Sequence, residues 1–142
     1  MTIAAILSTK GGDVATVDSA VRLAQAVAQL ADKRIGALVV TQGGAVVGIF
    51  SERDLVTCLG KRGAAALDEP VSAAMSAPAI SAEPTTPVLT ALALMTQKRF
   101  RHLPVMTGGQ LVGIVSIGDL VKYRIDSIEH EAAAMRSYIQ SA

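Results

Sequence analysis

Apolar positions recur along the chain at two alternating periods. In "AVRLAQAVAQLADKR" (20–34), Val21, Ala24, Val27, Ala28 and Leu30 fall near helical spacing, and Lys33 and Arg34 occupy the last turn. The spacing predicts a helix with Asp18 or Ser19 as N-cap. The pattern then turns strand-like: "ALVVT" (37–41) and "AVVGIFS" (45–51) are rich in β-branched residues, and Gln42, Gly43 and Gly44 join them as a hairpin. The same order returns as "TPVLTALALMTQKR" (86–99), "HLPVM" (102–106), Thr107-Gly108-Gly109 and "QLVGIVS" (110–116). With "DVATV" and "PAISA" as short leading strands, and with a helix beginning at Ser51 or Ser116, each unit reads strand, helix, strand, strand, helix.

The register between the units is constant. Gly44 and Gly109, Gly48 and Gly113, Ser51 and Ser116, and Asp54 and Asp119 all differ by 65 positions with no gap. Ala26, Ala28, Lys33 and Arg34 return as Ala91, Ala93, Lys98 and Arg99, so the duplication covers the helices as well as the hairpins. Between them, "GKRGAAALDEPVSAAMSAP" mixes Gly, Pro and short helical stretches and sets a boundary near residues 68–76, giving units 1–70 and 71–126. A unit of about sixty residues buries too little apolar surface to be comfortably stable alone. The two are therefore expected to form an α+β tandem repeat packed through a pseudo-twofold interface, with the cleft between them as the default site. A C-terminal helix extension, 127–142, follows. Val121, Ile125, Ile128, Ala132, Met135 and Ile139 are spaced 4, 3, 4, 3 and 4, a helix-packing seam that either folds back on its own domain or docks on a second subunit. Because the pattern outlasts the repeat, a homodimer is expected.

Composition narrows the function classes. Hydrophobic residues make up 51% of the chain and charged residues 18%, with a formal net charge of +1, so bulk charge offers no attraction to nucleic acid. Aromatic residues are 3% with no Trp, which leaves few platforms for stacking bases. The single Cys58 has no thiol partner and reads as a small buried hydrophobe in a reducing compartment. The opening "MTIAAILSTKGG" is too short in its apolar part, and lacks the basic start, for a secretion signal; no run is long enough to span a membrane, and a cytoplasmic location is expected.

Ser51-Glu-Arg-Asp54 and Ser116-Ile-Gly-Asp119 match S-x-x-D at a strand-to-helix junction, a helix-capping box. The same geometry presents a hydroxyl, a carboxylate and free N–H donors at a positive helix end, which suits a phosphate beside a ribose diol. Gly48 and Gly113 lie inside strands, where glycine marks close approach by another backbone or a ligand, or tight strand–helix packing. His102 beside a strand is read either as a phosphate contact or as a packed structural residue. His130, between Glu129 and Glu131, belongs to a solvated face. No Cys/His set has metal-ligand spacing, no Ser/His/Asp set comes with a nucleophile elbow, and "STKGGDV" lacks P-loop order, so Lys10 could at most touch a phosphate.

The pattern G-x-x-x-G-h-h-[ST]-x-x-D, with h apolar, is met in full at Gly44–Asp54 and again at Gly109–Asp119, and "RHLPV" precedes the second hairpin. The chain in these respects resembles a cystathionine beta-synthase (CBS) domain pair, or Bateman module, of the stand-alone bacterial type. The resemblance implies tandem CBS repeats, β-α-β-β-α twice, that bind adenosine-containing ligands (AMP, ADP, ATP, S-adenosylmethionine or NADH) between the repeats and regulate a partner protein. It implies no catalysis and no required cofactor, metal, nucleic acid or membrane. Carried over, it implies one site with Asp119 for ribose, Ser116 for phosphate, Arg101 and His102 adding charge or hydrogen bonds, and adenine against Ala15, Thr16, Ile35 and Gly36. A second site would use Asp54, Ser51 and Arg53, with adenine against Ile80, Ser81, Phe100 and Arg101. Where the second repeat has Arg101-His102 the first has Gly36-Ala37, so the Asp119 site is expected to favour a phosphorylated ligand. Two alternatives stand beside this reading: a purely structural dimerisation module, and a relative of the regulatory segment of inosine monophosphate dehydrogenase.

Overall fold

Paired glycines set both hairpins. Strands β2 (Ala37–Gln42) and β3 (Ala45–Ser51) turn through Gly43 and Gly44 at φ 58° and 81°. Strands β4 (His102–Thr107) and β5 (Gln110–Ser116) turn through Gly108 and Gly109 at φ 55° and 79°. Two successive left-handed residues make the turn whose twist matches antiparallel strands. The register slips in each hairpin at the equivalent place, between Val40 and Thr41 and between Val105 and Met106.

The computed structural model describes residues 1–141. Around the hairpins lie helices α1 (Ile3–Lys10), α2 (Leu23–Lys33), α3 (Glu52–Arg62), α4 (Val88–Lys98) and α5 (Ile117–Ser141). Two 3₁₀ turns, Gly63–Asp68 and Val71–Ala73, connect the halves. Helix α2 starts later than its apolar pattern suggests. Asp18 Oδ1 accepts from the Ala20 N–H at 2.9 Å, closing a local turn, and the extended residue before the helix is Arg22, so neither Asp18 nor Ser19 caps it. Helices α2 and α4 both end at an arginine with positive φ, Arg34 (53°) and Arg99 (59°).

Only one of the two expected leading strands forms. Strand β1 (Thr16–Asp18) runs parallel to β2, and the Val39 N–H donates to Ala15 O at 3.1 Å. The position equivalent to Val39 is Pro104, which has no N–H to give. The "PAISA" segment accordingly keeps a single parallel bridge, Ala82 to Val105, and the sheets have three and two strands.

Each repeat is completed by the segment that leads the other. Arg22 bridges to Pro70 and the equivalent Pro87 bridges to Thr2; the two helix residues differ by 65 positions and their partners by 68. The same offset relates Val71 to Ile3, both fully buried: Val71 N–H donates to Val21 O at 2.7 Å and Ile3 N–H to Thr86 O at 2.9 Å. Ala66 and Val71, with Ala74 and Met75 packed against them, therefore complete the core built on Leu23, Leu38, Val40 and Phe50. Ile3 and Ile6, with Leu7, complete the core built on Val88, Met95, Leu103, Val115 and Leu120. The units expected along the chain, 1–70 and 71–126, thus exchange their leading segments in space. The exchange gives each small repeat apolar area that its own sixty residues do not supply.

The exchanged segments also account for the strand glycines. A Cβ on Gly48 would lie 2.7 Å from Met75 Sδ and 2.8 Å from Ser76 O, and one on Gly113 would lie 2.7 Å from Leu7 Cδ2. Cys58 is buried, as its isolation in the sequence suggests, and its Sγ accepts from Arg62 Nη2 at 2.8 Å.

Candidate functional site

Both S-x-x-D motifs are used first as caps. Asp54 Oδ2 accepts from the Ser51 N–H at 2.9 Å while Ser51 Oγ accepts from the Asp54 N–H at 3.4 Å. In the second repeat, Asp119 Oδ2 accepts from the Ser116 N–H at 2.8 Å and Ser116 Oγ from the Asp119 N–H at 3.1 Å. Extended backbone at the strand end and an acidic third helical residue dictate this geometry in each copy.

The copies differ in what reaches the carboxylate next. Ser76 Oγ donates to Asp54 Oδ1 at 2.8 Å, so a neutral hydroxyl from the exchanged segment closes the first motif. At the second motif, Lys10, the last residue of α1, places Nζ 2.6 Å from Asp119 Oδ2 and 2.9 Å from Ile114 O. Among the described residues, Asp119 Oδ1 accepts no hydrogen bond. Burial pushes the Asp119 carboxyl up, but the Lys10 ammonium and the Ser116 N–H outweigh it and hold the group below its ordinary value.

Beside Lys10 opens a cleft of about 290 Å³ lined by Asp13, Ala15, Ile35, Gly36 and Ala37 of the first repeat and by His102, Ile114 and Ser116 of the second. Gly36 is needed here: a Cβ on it would lie 3.1 Å from His102 Cε1 and 3.2 Å from Glu52 Oε1. Burial, followed by the nearby Lys10 charge, lowers the His102 pKa and keeps the imidazole neutral, against the pull of Glu52 and Asp119. One wall is apolar apart from Asp13, and the other offers an ammonium, a hydroxyl, a neutral imidazole and an adjoining carboxylate. Such a cleft suits a ligand with a flat apolar part and a polar, anionic end.

The structure therefore brings together Ala15, Ile35, Gly36, Ala37, His102 and Ser116, with Asp119 adjoining through Lys10. Thr16 and Arg101 are exposed and do not line this cleft. None of the second expected set lines this cleft. Asp54 lines a separate hollow of about 250 Å³ with Thr57, Cys58, Lys61, Arg62, Ala73 and Ala74, and Ile80, Ser81, Phe100, Arg101, Ser51 and Arg53 lie outside it. Phe100 packs against the second core, and the Arg53 guanidinium donates to Arg99 O across the repeats. The sequence reads Lys10 at most as a phosphate contact, and the places of Asp13 and Ile114 have no local signal there; the 68-position offset between the exchanged segments is the clue that places α1 on the far repeat.

Among the described residues no three His, Cys, Asp or Glu side chains group to hold a metal ion, and no helix is long and apolar enough to cross a membrane. The family profile described as CBS domain matches residues 3–61 and 71–126. The CBS-domain containing protein ATU1752 from Agrobacterium tumefaciens has a solved structure with 42% identity and a TM-score of 0.85, the match covering 87% of this chain and 99% of that one. The mitochondrial CBS domain-containing protein CBSX3 of Arabidopsis thaliana is 35% identical over 81% of this chain, which spans 58% of that relative's length. The CBS domain protein PAE2072 from Pyrobaculum aerophilum, solved in complex with AMP, has 26% identity and a TM-score of 0.74 over 84% of this chain and 89% of its own. With the profile matching once in each half of the internal duplication and the same fold in these relatives, the chain belongs to the CBS-domain family and carries the domain as a pair.

Proposed function

We propose that the chain is a non-catalytic regulatory module that binds an adenosine nucleotide in the Lys10–His102 cleft and passes its occupancy to a partner protein. The observation that carries this reading is the meeting of Lys10, His102 and Ser116 with the apolar face of Ala15, Ile35 and Gly36 in one cleft beside Asp119. Adenine lies against the first-repeat wall, Asp119 accepts from the ribose hydroxyls, and Ser116 and Lys10 donate to phosphate. The AMP complex of the Pyrobaculum relative supports the ligand class. The Asp54 motif reads as structural, because its carboxylate is engaged by both Ser51 and Ser76. One nucleotide per chain is the expected stoichiometry.

Calorimetric titration with AMP, ADP, ATP, S-adenosylmethionine and NADH, against GMP and CMP, tests the reading. Adenosine ligands should bind with one site per chain. Asp119→Asn should weaken them by roughly 1.5–3 kcal/mol, the worth of hydrogen bonds to a charged group, while Asp54→Asn leaves the affinity near wild type. No adenosine compound binding at millimolar concentration would refute the proposal, and so would equal losses in the two variants.

A further inference from the structure

Helix α1 ends at Lys10, and the loop that follows carries a second, opposite charge into the same cleft. Gly11 closes the helix with φ 93° and donates its N–H to Leu7 O at 2.8 Å. Gly12 then passes against β5: a Cβ on it would lie 2.9 Å from Val112 O, an approach that only glycine permits. That contact fixes where Asp13 emerges, lining the cleft yet exposed at its mouth. The ion pairs among the described residues, Lys10–Asp119 and Arg62–Glu69, leave Asp13 without a cation.

The donors available to an anion in this cleft are few. An ammonium has three N–H groups, and Lys10 gives one to Asp119 Oδ2 and one to Ile114 O, leaving one for a ligand. The Ser116 hydroxyl and the single N–H of the neutral His102 ring supply two more. Three donors match the three terminal oxygens of one phosphate group. A second phosphate would find no further cation, because Lys10 is the one cationic side chain among the described residues lining the cleft. It would meet carboxylates instead: Asp13, the adjoining Asp119, and Glu52, whose Oε1 stands with the His102 ring over Gly36. At about 290 Å³ the cleft is also at the small end of ligand sites, which begin near roughly 300 Å³. Resting on the nucleotide reading above, we infer that Asp13 determines specificity at this site: it lets one phosphate group settle beside Lys10 and repels a second, so that a nucleoside monophosphate is selected over the di- and triphosphate. Specificity between close analogues is a difference of affinities, and an unpaired like charge set against one of them supplies it.

Calorimetric titration of the full chain with AMP and with ATP, in magnesium-free buffer of fixed ionic strength, tests this. Wild type should prefer AMP. Asp13→Asn, which keeps the size of the side chain, should tighten ATP about fivefold, the worth of one like-charge contact in a solvated site, and leave AMP near wild type. Asp13→Glu should keep the wild-type preference, and unchanged melting by circular dichroism shows that both variants fold. Added salt should narrow the difference between wild type and Asp13→Asn for ATP, because screening acts on an exposed charge. Equal shifts for the two nucleotides in Asp13→Asn would make Asp13 a base or loop contact and overturn the inference. An unchanged ATP affinity in that variant, a gain indifferent to salt, or a wild type that prefers ATP would overturn it as well, with the nucleotide reading left standing. If neither nucleotide binds wild type at millimolar concentration, the nucleotide reading fails and this inference falls with it.

Discussion

Replacing Lys10 by Met keeps most of the side chain's volume and removes the charge that α1 delivers to Asp119. The contact is short, 2.6 Å, but its partners are 36% and 28% exposed, so solvent screens it. A pair of this kind is worth about 0.2–1 kcal/mol, and the lost bond from Nζ to Ile114 O adds a comparable amount. The expected destabilisation at neutral pH is therefore about 1 kcal/mol, or roughly 3–4 °C in melting temperature for a chain of this size. The sign of its pH dependence follows from Asp119, whose carboxyl Lys10 helps to hold below the ordinary value. A carboxyl with a depressed native pKa contributes stability above its unfolded value, near 3.9, and loses it as pH falls through the native one. The gap between wild type and Lys10→Met should then be full at pH 7 and close as the solution is acidified through and below pH 4. Paired thermal melts across that range measure it. A gap that stays constant with pH would mean that Lys10 acts through packing of α1 alone, and the electrostatic argument would fail.

Two further substitutions probe the exchanged segments and the cleft. Gly48→Ala should destabilise by about 1–3 kcal/mol, the usual cost of overpacking, because its Cβ meets the backbone oxygen of Ser76, while Gly113→Ala meets the end of the Leu7 side chain, which can turn away. Urea unfolding of the two variants should rank them in that order, and the reverse order would contradict the exchange geometry. His102 is held neutral in the native state, so the unfolded chain takes up its proton more readily and stability should fall as pH drops through about 6.5. His102→Gln should flatten that limb of the stability profile, and an unchanged limb would assign it to other groups.

The duplication, the hairpins and the helical periods were legible in the sequence because each rests on local chemistry: paired glycines that tolerate positive φ, β-branched runs, and a Ser and an Asp three residues apart. Of the first site implied by the family resemblance, Ala15, Ile35, Gly36, His102 and Ser116 line one cleft. What escaped was set by partners distant in sequence. The second leading strand fails because Pro104, on another segment, has no N–H to offer it, and "PAISA" carries no mark of that loss. Met75 and Ser76 occupy the approach to Gly48 and Asp54 only because residues 66–75 complete the repeat that precedes them.

Lys10 reaches Asp119, 109 positions away, by the same exchange, and this bears on how occupancy could be transmitted. Helix α1 has eight residues, too few to persist as an isolated helix, so its order depends on docking through Ile3, Ile6 and Leu7. A group entering the cleft that draws the ammonium from Asp119 would loosen the last turn of a helix whose first turn lies in the second core. A ligand that binds without disturbing Lys10 leaves the segment in place. If the cleft binds a nucleotide as proposed, coupling to the rest of the molecule would require differential contact, for which Lys10 is placed, since a ligand shifts a conformational equilibrium only by its difference in affinity for the two states.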